Sequence, residues 1–244
     1  MPEWLGLTLI FFMAGITQGM TGFGAGLLAM PLLAFYIDIR VAVPLCMLNG
    51  LLITGFLCLH LKRHVDWRKI MPLLTGSLPG VILGIALLKK TDEALLALFL
   101  GLLLVGYTGY RLLVTVRPRF LHPGWAYLAG FATGLISGAF SAGGPPTIIY
   151  TTLTGWTKDE IKATLSGFFF VSGVVTAAGH TVSGLTTMAV LQLFGATSPA
   201  VLGGVILGAF CAKRFSTEGY LRLVLVCLLL LGLLMIGRAA MAGP

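Results

Sequence analysis

The stretch Gln18-Gly-Met-Thr-Gly-Phe-Gly-Ala-Gly26 decides how this chain folds. It sits inside one apolar run, residues 5–36, where an ordinary membrane helix would carry leucine. Each glycine in a helix interior costs roughly 1 kcal/mol relative to alanine. As a single helix the run would be about 48 Å long, against a hydrocarbon core of about 30 Å. The reading is therefore two halves, 5–18 and 25–36, each too short to span comfortably and joined by unwound backbone. At bilayer depth such backbone survives only where protein or a water-filled cavity encloses it.

A second stretch, Ser137-Gly-Ala-Phe-Ser-Ala-Gly-Gly-Pro-Pro146, repeats the pattern inside the run 124–153. At an offset of 119 residues Gly15, Gly19 and Gly24 fall on Gly134, Gly138 and Gly143. The break in this run is expected at 141–146, since a Pro-Pro pair removes two backbone donors. Gly-Val-Ile-Leu-Gly also occurs twice, at 80–84 and 204–208, in helices that hold the same place in their halves. Together these matches indicate an internal duplication.

Of the 244 residues 57% are hydrophobic and only 10% charged, and the mean hydropathy is +0.99. A soluble domain carries about 25% charged residues. The class is a polytopic α-helical membrane protein. The net charge of +8 resides in short connections between apolar spans, which follows membrane topology and excludes a nucleic-acid surface. The first residues, Met-Pro-Glu-Trp, lack a basic region and read as the start of a membrane segment, not a removable signal. Cys46, Cys58, Cys211 and Cys227 all lie in apolar runs without CxxC spacing and read as packing residues. No metal site and no cofactor are expected.

The spans expected after the first broken run are 41–61, 70–88 and 94–113. After the second they are 161–179, 185–211 and 219–237. Gly76, Gly80 and Gly84 form an i, i+4, i+8 strip that lets a neighbouring backbone approach closely. The repeats are residues 1–118 and 119–244. Their orientation follows from charge. If both broken runs cross the bilayer, Lys and Arg divide evenly between the two sides. If both dip in and return, one side holds Lys62, Arg63, Arg68, Lys69, Arg111, Arg117, Arg119, Lys158, Lys162, Lys213, Arg214 and Arg222. The other then keeps only Arg40, Lys89, Lys90 and Arg238. The positive-inside rule prefers this second arrangement. The fold expected is thus all-α, with two inverted repeats, each a broken re-entrant helical hairpin plus three transmembrane helices. Both termini are then periplasmic, and inverted repeats with broken helices are a common transporter plan.

Half-helix N-termini carry unpaired N–H groups and partial positive charge, which suits an anion. The second halves begin near Gly26 and Pro146. The residues expected to bind it are Gln18, Thr21, Gly22, Phe23, Gly24 and Gly26 from the first break, and Ser137, Ser141, Gly143, Gly144 and Pro145 from the second. Asn49 in the second span joins them. Thr164, Ser166, Thr197 and Ser198 read as locally satisfied, and His180, near a span end, as interfacial. All eight acids lie at loops or span ends, so no buried carboxylate offers a proton or sodium relay. Proton coupling would ride on the substrate itself. No phosphate-binding Walker loop is present, which argues against ATP-driven transport. Two other readings share some of these features: a channel-like facilitator for a small solute, and an intramembrane serine hydrolase with Ser137 and His180 as its dyad.

At Gly15 through Pro31 and Gly134 through Pro146 the chain resembles the sulfite exporter TauE/SafE family of membrane permeases. The resemblance covers nearly the whole chain, with its length, its duplicated halves and a glycine motif opening each. It implies a secondary transporter in the bacterial inner membrane for sulfite or an organosulfonate. The partners it implies are a small anion and the lipid bilayer; protons as coupling ion and homo-oligomerisation stay open.

Overall fold

A computed structural model describes residues 3–61, 66–114, 121–212, 214 and 217–242. Lys62, Arg63, His64, Arg117, Arg119, Lys213 and the expected repeat boundary at 118 lie outside these residues. Among the described residues are ten α-helices and no strand: α1 (Glu3–Thr21), α2 (Ala25–Leu33), α3 (Ile39–Leu61), α4 (Trp67–Lys90), α5 (Glu93–Leu113), α6 (Gly124–Phe140), α7 (Gly144–Leu153), α8 (Lys158–Val182), α9 (Met188–Cys211) and α10 (Thr217–Ala242). Seven of them, α1, α3, α4, α5, α8, α9 and α10, are long and apolar enough to cross a membrane. The protein is an all-α polytopic membrane bundle.

The first half of the first broken run differs from its expected length. α1 continues to Thr21 and reaches 19 residues, or about 28 Å, so it is not too short to span. The reason is that Gly15 and Gly19 do not break the helix. They let α9 pack backbone to backbone against it: a Cβ at Gly15 would lie 2.5 Å from the Val201 carbonyl oxygen. The break itself covers residues 22–24, with φ of 86° at Gly22 and 97° at Gly24, values that glycine adopts without the Cβ penalty. In the second run the break covers residues 141–143, and Ser141 adopts a left-handed φ of 51°. Pro145 and Pro146 fall in the first turn of α7, where their missing donors have no helical partner to lose.

Both breaks fold the chain back. Thr133 of α6 and Thr147 of α7 share a 2.5 Å hydrogen bond between hydroxyls, which a helix continuing straight could not allow. On the first hairpin Phe11 and Ala14 of α1 face Ala25 and Ala29 of α2 around one small void.

The glycine strips decide how the halves assemble. Gly204 and Gly208 of α9 receive the carbonyls of Phe12 and Ile16 of α1. Gly80 and Gly84 of α4 receive those of Phe131 and Leu135 of α6. Adding 119 to the α1 numbers and subtracting 124 from the α9 numbers converts the first interface into the second, residue by residue. Each hairpin therefore packs against a long helix of the other half, α1 against α9 and α6 against α4. Such contacts rely on removing Cβ atoms so that backbones approach closely. α5 and α10 pack antiparallel, with Gly101 against Ile236 and Gly232 against Val105. α3 and α8 do the same, with Gly55 against Phe170 and Gly173 against Leu51.

One end of the bundle carries cations bound to helix C-termini. Arg40 Nη2 donates to the Thr91 carbonyl (2.9 Å) at the end of α4. Lys89 donates to Ser183 O (3.0 Å) beyond α8, and Arg238 to Ala34 O (2.8 Å) beyond α2. These are carbonyls that a helix end leaves without a partner. At the opposite end Lys69 Nζ meets Glu160 Oε1 at 2.7 Å.

Candidate functional site

The two breaks touch. The carbonyl oxygen of Ser141 fills the place where a side chain on Gly26 would begin. Around this contact lies a cavity of about 80 Å³, room for two or three waters at roughly 30 Å³ each. Gln18, Phe23, Gly24 and Gly26 line it from the first hairpin, and Ser137, Ser141, Gly143 and Gly144 from the second. α3 adds Cys46, Met47, Gly50, Leu51 and Thr54, and α8 adds Phe169, Ser172 and Gly173.

Within this wall the polar groups divide into committed and available ones. Gln18 Oε1 accepts from the backbone N–H of Ala25 (3.3 Å) and so ties α1 to the start of α2. Ser141 Oγ donates to the Val43 carbonyl of α3 (2.8 Å). Thr54 bonds back to Gly50 O (2.8 Å). The hydroxyls of Ser137 and Ser172 make no hydrogen bond to another described residue and are available to a ligand. Neither Gly24 nor Gly143 supplies a side-chain cap to the helix it starts; at α2 Gln18 Oε1 takes the Ala25 N–H, and the next N–H groups of that first turn have no side-chain cap. The two helix starts are unequal. Pro145 and Pro146 subtract two donors from α7, whereas α2 keeps the N–H groups of Gly26 and Leu27. Among the described residues the wall holds no carboxylate, Lys, Arg or His. It offers dipoles and hydroxyls without a full charge, which suits a small anion that must also leave.

Four of the sequence-derived residues lie elsewhere. Thr21 spends its hydroxyl on the carbonyls of Thr17 (2.7 Å) and Phe23 (2.6 Å), shaping the turn from behind. Gly22 faces the aliphatic part of Lys162. Pro145 is buried in the α7 turn. Asn49 donates to Leu45 O and to Thr197 Oγ1, both at 3.1 Å, across the α3–α9 interface. Sequence reasoning missed the α3 and α8 walls. Their signal was the small or hydroxyl residues Gly50, Thr54, Ser172 and Gly173, placed at helical spacing inside otherwise apolar spans.

His180 also departs from expectation. It is not interfacial but fully buried, with Nε2 2.9 Å from the Gly138 carbonyl oxygen. A carbonyl only accepts, so Nε2 carries the hydrogen, and Nδ1 is left buried without a partner. Its donor nitrogen serves the last turn of α6 and not the Ser137 hydroxyl, so the two do not form a nucleophile–base dyad.

A polytopic bundle with two folded-back broken helices around a small cavity is built as a membrane transporter. The chain belongs to the sulfite exporter TauE/SafE family, whose sequence profile matches residues 7–235. It is 26% identical over 219 residues to a relative from Cupriavidus necator named "Probable sulfite/organosulfonate exporter TauE", covering 87% of this chain and 85% of that one. Two proteins named "Probable membrane transporter protein MamO", from Paramagnetospirillum magneticum and Magnetospirillum gryphiswaldense, are each 25% identical over 119 residues, or 47% of this chain and 19% of theirs. No solved structure matches. The family and these relatives are named as exporters and transporters, not as enzymes.

Proposed function

We propose that this protein is a secondary permease for a small sulfur oxyanion, sulfite or an organosulfonate, held in the cavity between the two glycine breaks. One observation carries the reading: breaks 119 residues apart in sequence line a single cavity, together with the hydroxyl residues Ser137 and Ser172. The binding group consists of the α2 N–H groups, Ser137 and Ser172, with Gly24, Gly143 and Gly144 admitting the ligand to the backbone. The exchange of interfaces and the antiparallel α3–α8 and α5–α10 pairs support two inverted repeats, 1–118 and 119–244, rocking about that site. The charge-rich end is then cytoplasmic and both termini periplasmic in the bacterial inner membrane. With no acid in the wall, proton coupling rides on protonation of the anion itself.

The test is flux into proteoliposomes for sulfite, sulfate, sulfoacetate and taurine, with and without a proton gradient. Saturable flux of sulfite or a sulfonate, altered by the gradient, is expected. Absence of flux for every one of these anions overturns the substrate class, and non-saturating flux turns the reading to a channel.

A further inference from the structure

A second cavity, of about 350 Å³, opens at the charged end of the bundle beneath the base of the second hairpin. Arg68, Lys69, Pro72, Pro123, Tyr150 and Trp156 form most of its wall. It shares no lining residue with the central cavity. Lys69 is fixed there twice, by Glu160 at 2.7 Å and over the Trp156 ring at 4.7 Å from its centroid. Trp156 in turn meets Tyr150 edge-on at 6.1 Å. Arg68 is exposed, and its guanidinium makes no hydrogen bond or ion pair with another described residue.

The architecture does not require this wall. The exchange that relates the two halves carries Arg68 and Lys69 onto Gln192 and Leu193, Tyr150 onto Pro31, Trp156 onto Ile37, and Glu160 onto Val41. The other half thus builds the same packing without the Arg68–Lys69 pair and without the Lys69–Trp156–Tyr150 stack, although Pro123 and Thr154 are there replaced by Trp4 and Phe35. The depth of the pocket is marked by Trp67 and Trp125, in the first turns of α4 and α6, each 54% exposed. Exposed tryptophan at helix ends sits at the level of lipid headgroups.

We propose that this pocket is a second oxyanion site that takes a phosphate group at headgroup depth. Arg68 supplies the planar donor fork that matches phosphate, and the Lys69–Trp156–Tyr150 stack forms a rigid wall beside it. The phosphate belongs either to an anionic phospholipid or to a soluble ion. Both present the same oxygens to Arg68.

The test uses the full chain in nanodiscs of phosphatidylcholine, alone or with phosphatidylglycerol, and reads the melting temperature. In plain phosphatidylcholine discs, inorganic phosphate is added at matched ionic strength. A rise of several degrees with phosphatidylglycerol, at least halved in Arg68→Gln but retained in Arg222→Gln, establishes the site with a lipid ligand. The same pattern with inorganic phosphate establishes it with a soluble one. Arg222 is an exposed cation on α10 and controls for bulk charge. No rise with either probe, or an equal rise in Arg68→Gln, overturns the proposal.

Discussion

The carbonyl oxygen of Ser141 stands where a Cβ of Gly26 would be, so the two helix breaks are in backbone contact. Ser141 cannot retreat easily, because its hydroxyl is bonded to Val43 O at 2.8 Å. Gly26→Ala must therefore push the hairpins apart. Overpacking of this kind costs about 1–3 kcal/mol, and it moves one wall of the cavity against the other. The variant should show a lower melting temperature and flux reduced at least tenfold. Wild-type flux in Gly26→Ala would mean that contact between the breaks is irrelevant to transport.

Gly50 permits a cleaner test of the cavity. It lines the central space, yet an added Cβ there meets no atom within 4 Å. By contrast Gly24 has φ of 97° and Gly143 lies against Ser137 Oγ, so substituting either disturbs the fold as well. Gly50→Ala should be neutral to slightly stabilising, gaining up to roughly 1 kcal/mol of helix propensity. Gly50→Leu should keep the melting temperature near wild type while its isobutyl group occupies the cavity and stops flux. Unchanged flux in a folded Gly50→Leu protein would place the anion path elsewhere.

What the sequence revealed, and what it hid, follows from the several uses of glycine. Low helix propensity marked 18–26 and 137–146 as special, and the duplication told that they correspond. Propensity could not say which glycines break the helix. Gly15, Gly19, Gly134 and Gly138 stay helical because packing against α9 and α4 offsets their intrinsic cost, and only the partner strips at Gly204, Gly208, Gly80 and Gly84 reveal this. The α1 length was misjudged for that reason. The hairpin halves of the cavity wall were legible because unusual backbone needs unusual residues. The α3 and α8 walls were not, since Gly50 and Ser172 look like ordinary small residues of a packed span. His180 was misplaced because its partner is a main-chain carbonyl, which no side-chain pattern announces.

That carbonyl makes His180 a capping residue for α6. The helix ends at Phe140, so Gly138 O lacks a helical donor and takes one from Nε2 at 2.9 Å. His180→Phe leaves the carbonyl buried and unpaired, at about 1–3 kcal/mol. His180→Gln carries an N–H that reaches the same oxygen and should recover most of the loss. Thermal unfolding in detergent checks this directly. Equal stability of the Phe and Gln variants would show that the hydrogen bond contributes nothing.

The α3–α9 contact is polar where its counterpart is apolar. Asn49 bonds Thr197 at 3.1 Å, whereas the exchanged positions are Phe168 and Leu73, which pack in one apolar cluster. Interhelical hydrogen bonds in membranes contribute about 0.6 kcal/mol on average and up to about 1.7 kcal/mol. Asn49→Leu and Thr197→Val should each destabilise within that range, and the double variant should cost less than their sum. Strict additivity in the cycle would mean that the two side chains do not interact.

Membrane orientation is tested at the C-terminus. Arg40, Lys89 and Arg238, three of the four cations at the less basic end, are bonded to helix-terminal carbonyls. Their presence there is explained by capping, which leaves little free positive charge to hold that end in the cytoplasm. The opposite end carries Arg68, exposed and unpaired among the described residues, and Lys69. The positive-inside rule prefers that end on the cytoplasmic side, as proposed above. Alkaline phosphatase fused after Pro244 should therefore be active, and green fluorescent protein at the same place dark. The reverse pattern would place both termini in the cytoplasm and invert the assignment of the two faces.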